Sequence, residues 1–491
     1  GTLLLENTAA ANTNDRVRNA AAITLNGGRV NFAHTAGAAS YSETLGAVAV
    51  SSGASTIAAS RAAAGQTSTL TLTSLTRTAG SVDFTGARLG ADARNRILIT
   101  GQADGLIGPW ATVNGTSLAA YSSTLGVYPA ADAAYADIAA RGPDSAIPDS
   151  GAASNIRINS DGVTGEIALT NATTTIGSLL QNTATDATVG TAGKTLRVTG
   201  VLIPSGKAGV TLGAAAGDGA LAAATAGGGL SLANDGAAPL TVNAVIANNT
   251  SASGLSKSGA GTVTLAAANT FSGGTSISGG TLVLANGDAL QNSTVTLGAV
   301  APVFDAAVAG HAFTFGALAG SKDFALTDSA GNPVALSAGK NNASTTYSGI
   351  VGGSGSLVKQ GSGTLTLSGA NTFAGGATVS AGGAVSASSQ QALGAGPVVN
   401  NGTLNLAQSP ATYSGLSLAL SGAGTNNVSL ITGLTGSSTT LNGDYSAFTG
   451  VWNIGVGAGA SANRVVMNGR DNAAAAITVR TNATLYVNSS V

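Results

Sequence analysis

Runs of four to seven residues that alternate threonine or serine with an aliphatic residue recur along the whole 491-residue chain. Thr69 to Leu75, Thr262 to Leu265, Thr281 to Leu284, Thr294 to Leu297, Thr364 to Leu367 and Thr403 to Leu406 share this style. Alternation with a period of two sends the aliphatic side chains to one face of a strand and the hydroxyls to the other. The runs are too short for helices, and β-branched residues suit a pleated surface. Between them stand Asn-Gly and Gly-Gly pairs, such as Asn26-Gly27, Asn114-Gly115, Gly273-Gly274 and Gly375-Gly376. Such pairs turn a chain readily. Short strands with frequent turns make either a sandwich or a solenoid.

An internal repeat favours the solenoid. Lys257-Ser258-Gly259-Ala260-Gly261-Thr262-Val263-Thr264-Leu265 returns 102 residues on as Lys359-Gln360-Gly361-Ser362-Gly363-Thr364-Leu365-Thr366-Leu367. Ala268-Asn269-Thr270-Phe271-Ser272-Gly273-Gly274 returns as Ala370-Asn371-Thr372-Phe373-Ala374-Gly375-Gly376. A strand-turn unit of this size cannot bury a core alone, so neighbouring coils must stack on it.

Composition narrows the partners. Charged residues are 8% of the chain, the formal net charge is −1, and there is no cysteine. No basic stripe exists to neutralise phosphates, so nucleic acid is not expected as a partner. Disulfides and thiolate metal sites are excluded. Without a run of about 18 apolar residues, no helical membrane insertion is expected from this segment. A hydrophobic fraction of 44% and a mean hydropathy of +0.29 argue for a folded chain rather than a disordered one. Gly1 to Leu5 reads as mid-strand rather than as a signal peptide. The chain is therefore expected to be a mature unit or an internal piece of something longer.

The blocks 254–290 and 355–393, marked by Leu-x-Lys-x-Gly-x-Gly-Thr-(Val/Leu)-Thr-Leu and then Asn-Thr-Phe-x-Gly-Gly, resemble the autotransporter-associated β-strand repeat. That resemblance implies an extracellular, bacterial cell-surface protein and an all-β fold, a right-handed parallel β-helix. It transfers no catalytic residue. Residues 1–100 and 151–491 are expected to form solenoid coils. Residues 101–150, which gather several prolines with Trp110, are expected to be a protruding loop insertion. Within that segment, Pro129 to Arg141 is alanine-rich enough for a turn or two of helix. Phe304 to Gly339 also departs from the repeat.

Candidate chemistry is sparse. His34 and His311 are the only histidines, and neither sits in a nucleophile motif. Asp132, Asp137, Asp144 and Asp149 with Arg141 are the nearest approach to a calcium-assisted lyase site, but their spacing suits a solvated loop. The Thr-x-Thr pairs Thr71/Thr73, Thr262/Thr264, Thr294/Thr296 and Thr364/Thr366 are too irregularly spaced for an ice-binding ladder. Trp110, Tyr121 and Tyr128 suit packing of the insertion more than sugar stacking. No catalytic, cofactor-binding or metal-binding residue is expected, no cofactor is implied, and the chain is read as a non-enzyme.

The leading functional expectation is a structural solenoid with itself as partner, stacking head to tail into a fibre, stalk or sheath, or continuing into further repeats of the same chain. The alternative is an adhesin passenger presenting the insertion to a surface glycan or host surface. A polysaccharide lyase or hydrolase is the remote third.

Overall fold

A computed structural model of the chain describes residues 1–7, 16–35, 39–52, 54–77, 81–108, 110–138, 145–159, 165–388, 391–406, 419–429, 438–456, 463–468, 474, 476–481 and 483–487. The fold is a parallel β-solenoid. Its described helices are two single 3-10 turns, Asp132–Ala134 and Ala309–His311, and none is long and apolar enough to cross a membrane. The chain divides into two compact units, Gly1–Val283 and Leu284–Val491.

The first unit contains two stacks of coils. In the first stack, Leu3 pairs with Val30, Val30 with Ile57 and Ile57 with Phe84, each 27 residues further on. A second parallel ladder runs through Ile23–Asn26, Ser40–Ser52, Thr67–Arg77 and Asn95–Ile99. Alternation points Val30, Phe32, Ile57, Leu70, Leu72, Val82 and Phe84 into the core between the two ladders, where they are fully or almost fully buried.

In the segment expected to be the insertion, the chain reverses its habit. Ala111–Val113 joins the first ladder in parallel, and Ser117–Ser122 and Gly126–Pro129 then add antiparallel strands. The helix expected over Pro129 to Arg141 does not form in its described part. Asp132–Ala134 is one 3-10 turn and Ala136–Ile138 is a strand paired with Ile156 to Ile158. An isolated alanine-rich helix of so few residues has too little hydrogen bonding to offset its nucleation, whereas the strand gains a ready ladder.

That strand opens the second stack, which has three ladders. One joins Ala136–Ile138, Gly151–Ile158, Thr173–Gln181, Gly200–Ile203, Leu230–Asn234, Leu255–Ser258 and Thr275–Ile277. The second runs from Ala146–Ile147 through Val210–Leu212 to Thr262–Leu265. The third links Thr173–Gln181, Thr195–Arg197, Ala220–Ala222 and Val245–Ala247. Coil lengths differ in their turns, but strand register is kept.

The second unit repeats the plan. Leu365 pairs with Val385 and Val385 with Leu404, and then Leu404 pairs with Asn426 and Asn426 with Trp452, all in parallel. The low-repeat segment fills its interior with aromatics. Phe304 stacks near Phe313 at 4.7 Å and Phe315 at 6.2 Å, and all three are buried.

Candidate functional site

Within the first unit, the outer faces of the two stacks enclose a cavity of about 360 Å³. Ser55, Asp83, Trp110 and Thr112 line it from one stack, and Asp235 and Ser258 from the other. Val82 and Phe84 point inward, so alternation turns Asp83 out of the core. Thr56, Asp83 and Thr112 are register neighbours and form one outward column. Asp235 enters from the corner that follows the Leu230–Asn234 strand, where Asn234 is held inside by its bonds to the Ala238 and Thr262 carbonyls.

The two carboxylates are differently held. Asp83 Oδ1 accepts from Thr112 Oγ1 at 2.7 Å and from the Gly115 N–H at 2.9 Å. Asp235 Oδ1 accepts from the Ala260 N–H at 3.3 Å. Burial pushes both carboxyls above their usual range, and the Asp83 charge raises Asp235 further while Lys257 opposes it. The Asn114-Gly115 turn, with φ of 52° and 63°, stands beside the two carboxylates. A Cβ on Gly115 would lie 2.8 Å from Asp235 Oδ2, so a side chain there would displace that carboxylate as well as strain the turn. Ser55, the register partner of Val82, turns its buried hydroxyl to the core face instead. Hydroxyl and ammonium donors are what such a lining accepts, with the half-buried Trp110 indole as an apolar wall.

The residues singled out by sequence have other duties. Arg157 binds Asp137 in a fork, Nε to Oδ1 at 2.7 Å and Nη2 to Oδ2 at 2.9 Å, and reaches Asp132 at 2.5 Å. The Arg157 fork holds the Asp137 carboxyl below the usual range. Asp149 caps the neighbouring coil through the Thr175 N–H and Asn171. Asp144 and Arg141 lie outside the described residues. His34 is buried, with Nδ1 at 3.2 Å from the Thr67 carbonyl and its ring edge-on to Tyr41. His311 Nδ1 lies 2.8 Å from the buried carboxylate of Asp328. Tyr121 is buried and accepts the Ile99 N–H, and Tyr128 is half-buried on the antiparallel meander.

Threonine spacing behaves differently in three dimensions than along the chain. Thr188, Thr211, Thr241 and Thr264 stack in register on successive coils of the second stack, although their separations in sequence are unequal. They form a single file.

The repeat motif is the chemistry of coil corners. The Lys257 ammonium is fully buried and donates to the carbonyls of Ser258 at 3.1 Å, Gly259 and Gly261 at 2.7 Å, and Gly279 at 2.8 Å. Lys359 does the same to Gln360 at 2.6 Å and Gly361 at 2.8 Å. Asn269 accepts the Ile246 N–H and Asn371 the Val351 N–H, each at 2.8 Å, while Phe271 and Phe373 fill the interior.

These corners match the passenger-associated-transport-repeat family at residues 255–284 and 357–383. The chain carries two copies of this passenger-associated repeat. It is similar to the adhesin BmaC autotransporter of Brucella suis biovar 1 (strain 1330), at 34% identity over 228 residues. The match covers 45% of this passenger-like chain and 6% of that adhesin, so the chain spans a small part of the relative's length. No solved structure matches it.

Proposed function

We propose that the chain is a stretch of a bacterial adhesin passenger, a non-catalytic β-solenoid displayed on the cell surface. The observation that carries this reading is that the motif residues shared with passenger repeats, Lys257, Asn269 and Phe271, are the ones that close and fill a solenoid coil. The similarity to an adhesin supports attachment as the task. The placement of His34 against a backbone carbonyl and of Asp132 and Asp137 on Arg157 supports structural rather than catalytic roles for them. Beads coated with the purified chain are expected to be retained on epithelial cell layers well above albumin-coated beads. Equal retention overturns the adhesin reading.

End-to-end assembly is a separate reading. Ile477, Val479, Tyr486 and Val487 are exposed on the strands Ala476–Val479 and Ala483–Val487, an apolar edge of the kind that a further coil or another chain covers. Electron microscopy across a concentration series is expected to show rods joining lengthwise. Separate rods of constant length at every concentration would remove it.

A further inference from the structure

The cavity between Asp83 and Asp235 has no part in holding the coils together. Their cores lie inside the ladders, whereas this space lies between outward faces. Its volume, about 360 Å³, falls within the range of small-molecule sites and far exceeds what a bare ion occupies. Among the described residues, no group of three histidine, aspartate or glutamate side chains is placed to hold a metal. A calcium ion takes six to eight oxygens, roughly, which two carboxylates here do not approach. The lining is instead rich in hydroxyl groups, with Ser81, Thr112, Ser231 and Ser258 around the two acids.

We propose that this cavity binds one or two sugar units of a neutral or amino-bearing glycan. Asp83 and Asp235 accept hydrogen bonds from its hydroxyl or ammonium groups, and the Trp110 indole walls one side. Acidic sugars are excluded. Two carboxylates already raised by burial, Asp235 also by the Asp83 charge, repel a third and welcome a cation. The biological meaning of the site rests on the adhesin reading, but its chemistry does not.

The test uses the full chain with three probes: a glucosamine disaccharide, a glucose disaccharide and a glucuronate-containing disaccharide. The chain has two tryptophans, and Trp452 is fully buried, so the indole N–H resonance of Trp110 reports on the cavity with Trp452 as an internal reference. The glucosamine disaccharide is expected to move the Trp110 signal at the lowest concentration, the glucose disaccharide at a higher one, and the glucuronate probe not at all. Asp83→Asn and Asp235→Asn, which keep side-chain shape, are each expected to weaken the glucosamine disaccharide about tenfold, as loss of one charge-assisted hydrogen bond does. Thr264→Ala, in the threonine file, is expected to leave affinity unchanged. The inference is overturned if neither non-acidic probe moves the Trp110 signal, if the glucuronate probe binds as tightly, or if both aspartate variants bind like the parent. If an aspartate variant does not fold, the order of the three probes on the parent chain still decides. Coated beads that adhere while no probe moves Trp110 would sink the cavity inference alone. Probes that bind while beads do not adhere would sink the adhesin reading alone.

Discussion

Replacing Gly219 with alanine is expected to lower stability far more than the same change at Gly217, two residues away in one turn. Both glycines have left-handed backbones, with φ of 67° and 87°. A side chain at either position therefore meets the same local strain, about 1 kcal/mol. Their surroundings differ. Nothing lies within 4 Å of a Cβ built on Gly217. On Gly219 it would lie 1.7 Å from the Thr191 carbonyl oxygen and 2.7 Å from that of Lys194. These are backbone atoms and cannot swing aside. The Lys194 N–H bonds the Thr191 carbonyl at 2.8 Å, and the Ala220 N–H bonds the Lys194 carbonyl at 2.9 Å, so a shift opens the coil-to-coil ladder itself. Gly219→Ala is expected to cost at least about 3 kcal/mol more than Gly217→Ala. Stacked coils unfold in nearest-neighbour steps, so the measurement is amide exchange at Ala220 and Leu221 together with the denaturation midpoint. Equal effects of the two substitutions would refute the close-approach argument.

The second large effect is expected at the lysine of the repeat motif. Lys257→Met removes a donor shared by four carbonyls at one corner, and Lys359→Met removes one shared by two. The first is expected to cost about 3 to 5 kcal/mol and the second roughly half as much. Lys257→Arg is not expected to rescue the corner, because a flat guanidinium cannot point its donors at carbonyls grouped around one compact ammonium. Burial, opposed in part by Asp235, lowers the folded-state pKa of Lys257 to about 8. The folded chain then binds fewer protons than the unfolded chain above that pH. Stability is therefore expected to rise between about pH 8 and pH 10, and Lys257→Met is expected to abolish that slope. Urea denaturation of the three variants at pH 7 and pH 9.5 checks both expectations. A Lys257→Met chain as stable as the parent at pH 7 would show that water, rather than the ammonium, serves these carbonyls.

The same two positions show how unevenly the fold was written into the chain. The turn at Gly217 and Gly219 is foreseeable from glycine alone, but their opposite tolerance of a methyl group depends on the next coil. The motif lysine is legible as a repeat mark, yet a lysine in a Gly-rich stretch reads as solvated until the carbonyls that surround it are located. The alanine-rich stretch from Pro129 read as helix because propensity sums over neighbours in sequence. The partner strand at Ile156 to Ile158 then claimed its described part.

Local chemistry therefore determined the strands, the turns and the stacking of coils. A period-two alternation buries one face wherever it occurs, and Asn-Gly and Gly-Gly turn the chain whatever surrounds them. The repeat of Lys, Asn and Phe carried the similarity to passenger repeats, since the three recur as one motif wherever a coil is closed and filled in this way. Tertiary structure alone decided which outward residues meet. Asp83 faces Asp235, Arg157 takes Asp132 and Asp137, and four threonines align in one file, because those pairings depend on the length of each coil's turns and on one stack lying against another. Outward positions are not held by a core, so nothing in their own sequence neighbourhood specifies a partner.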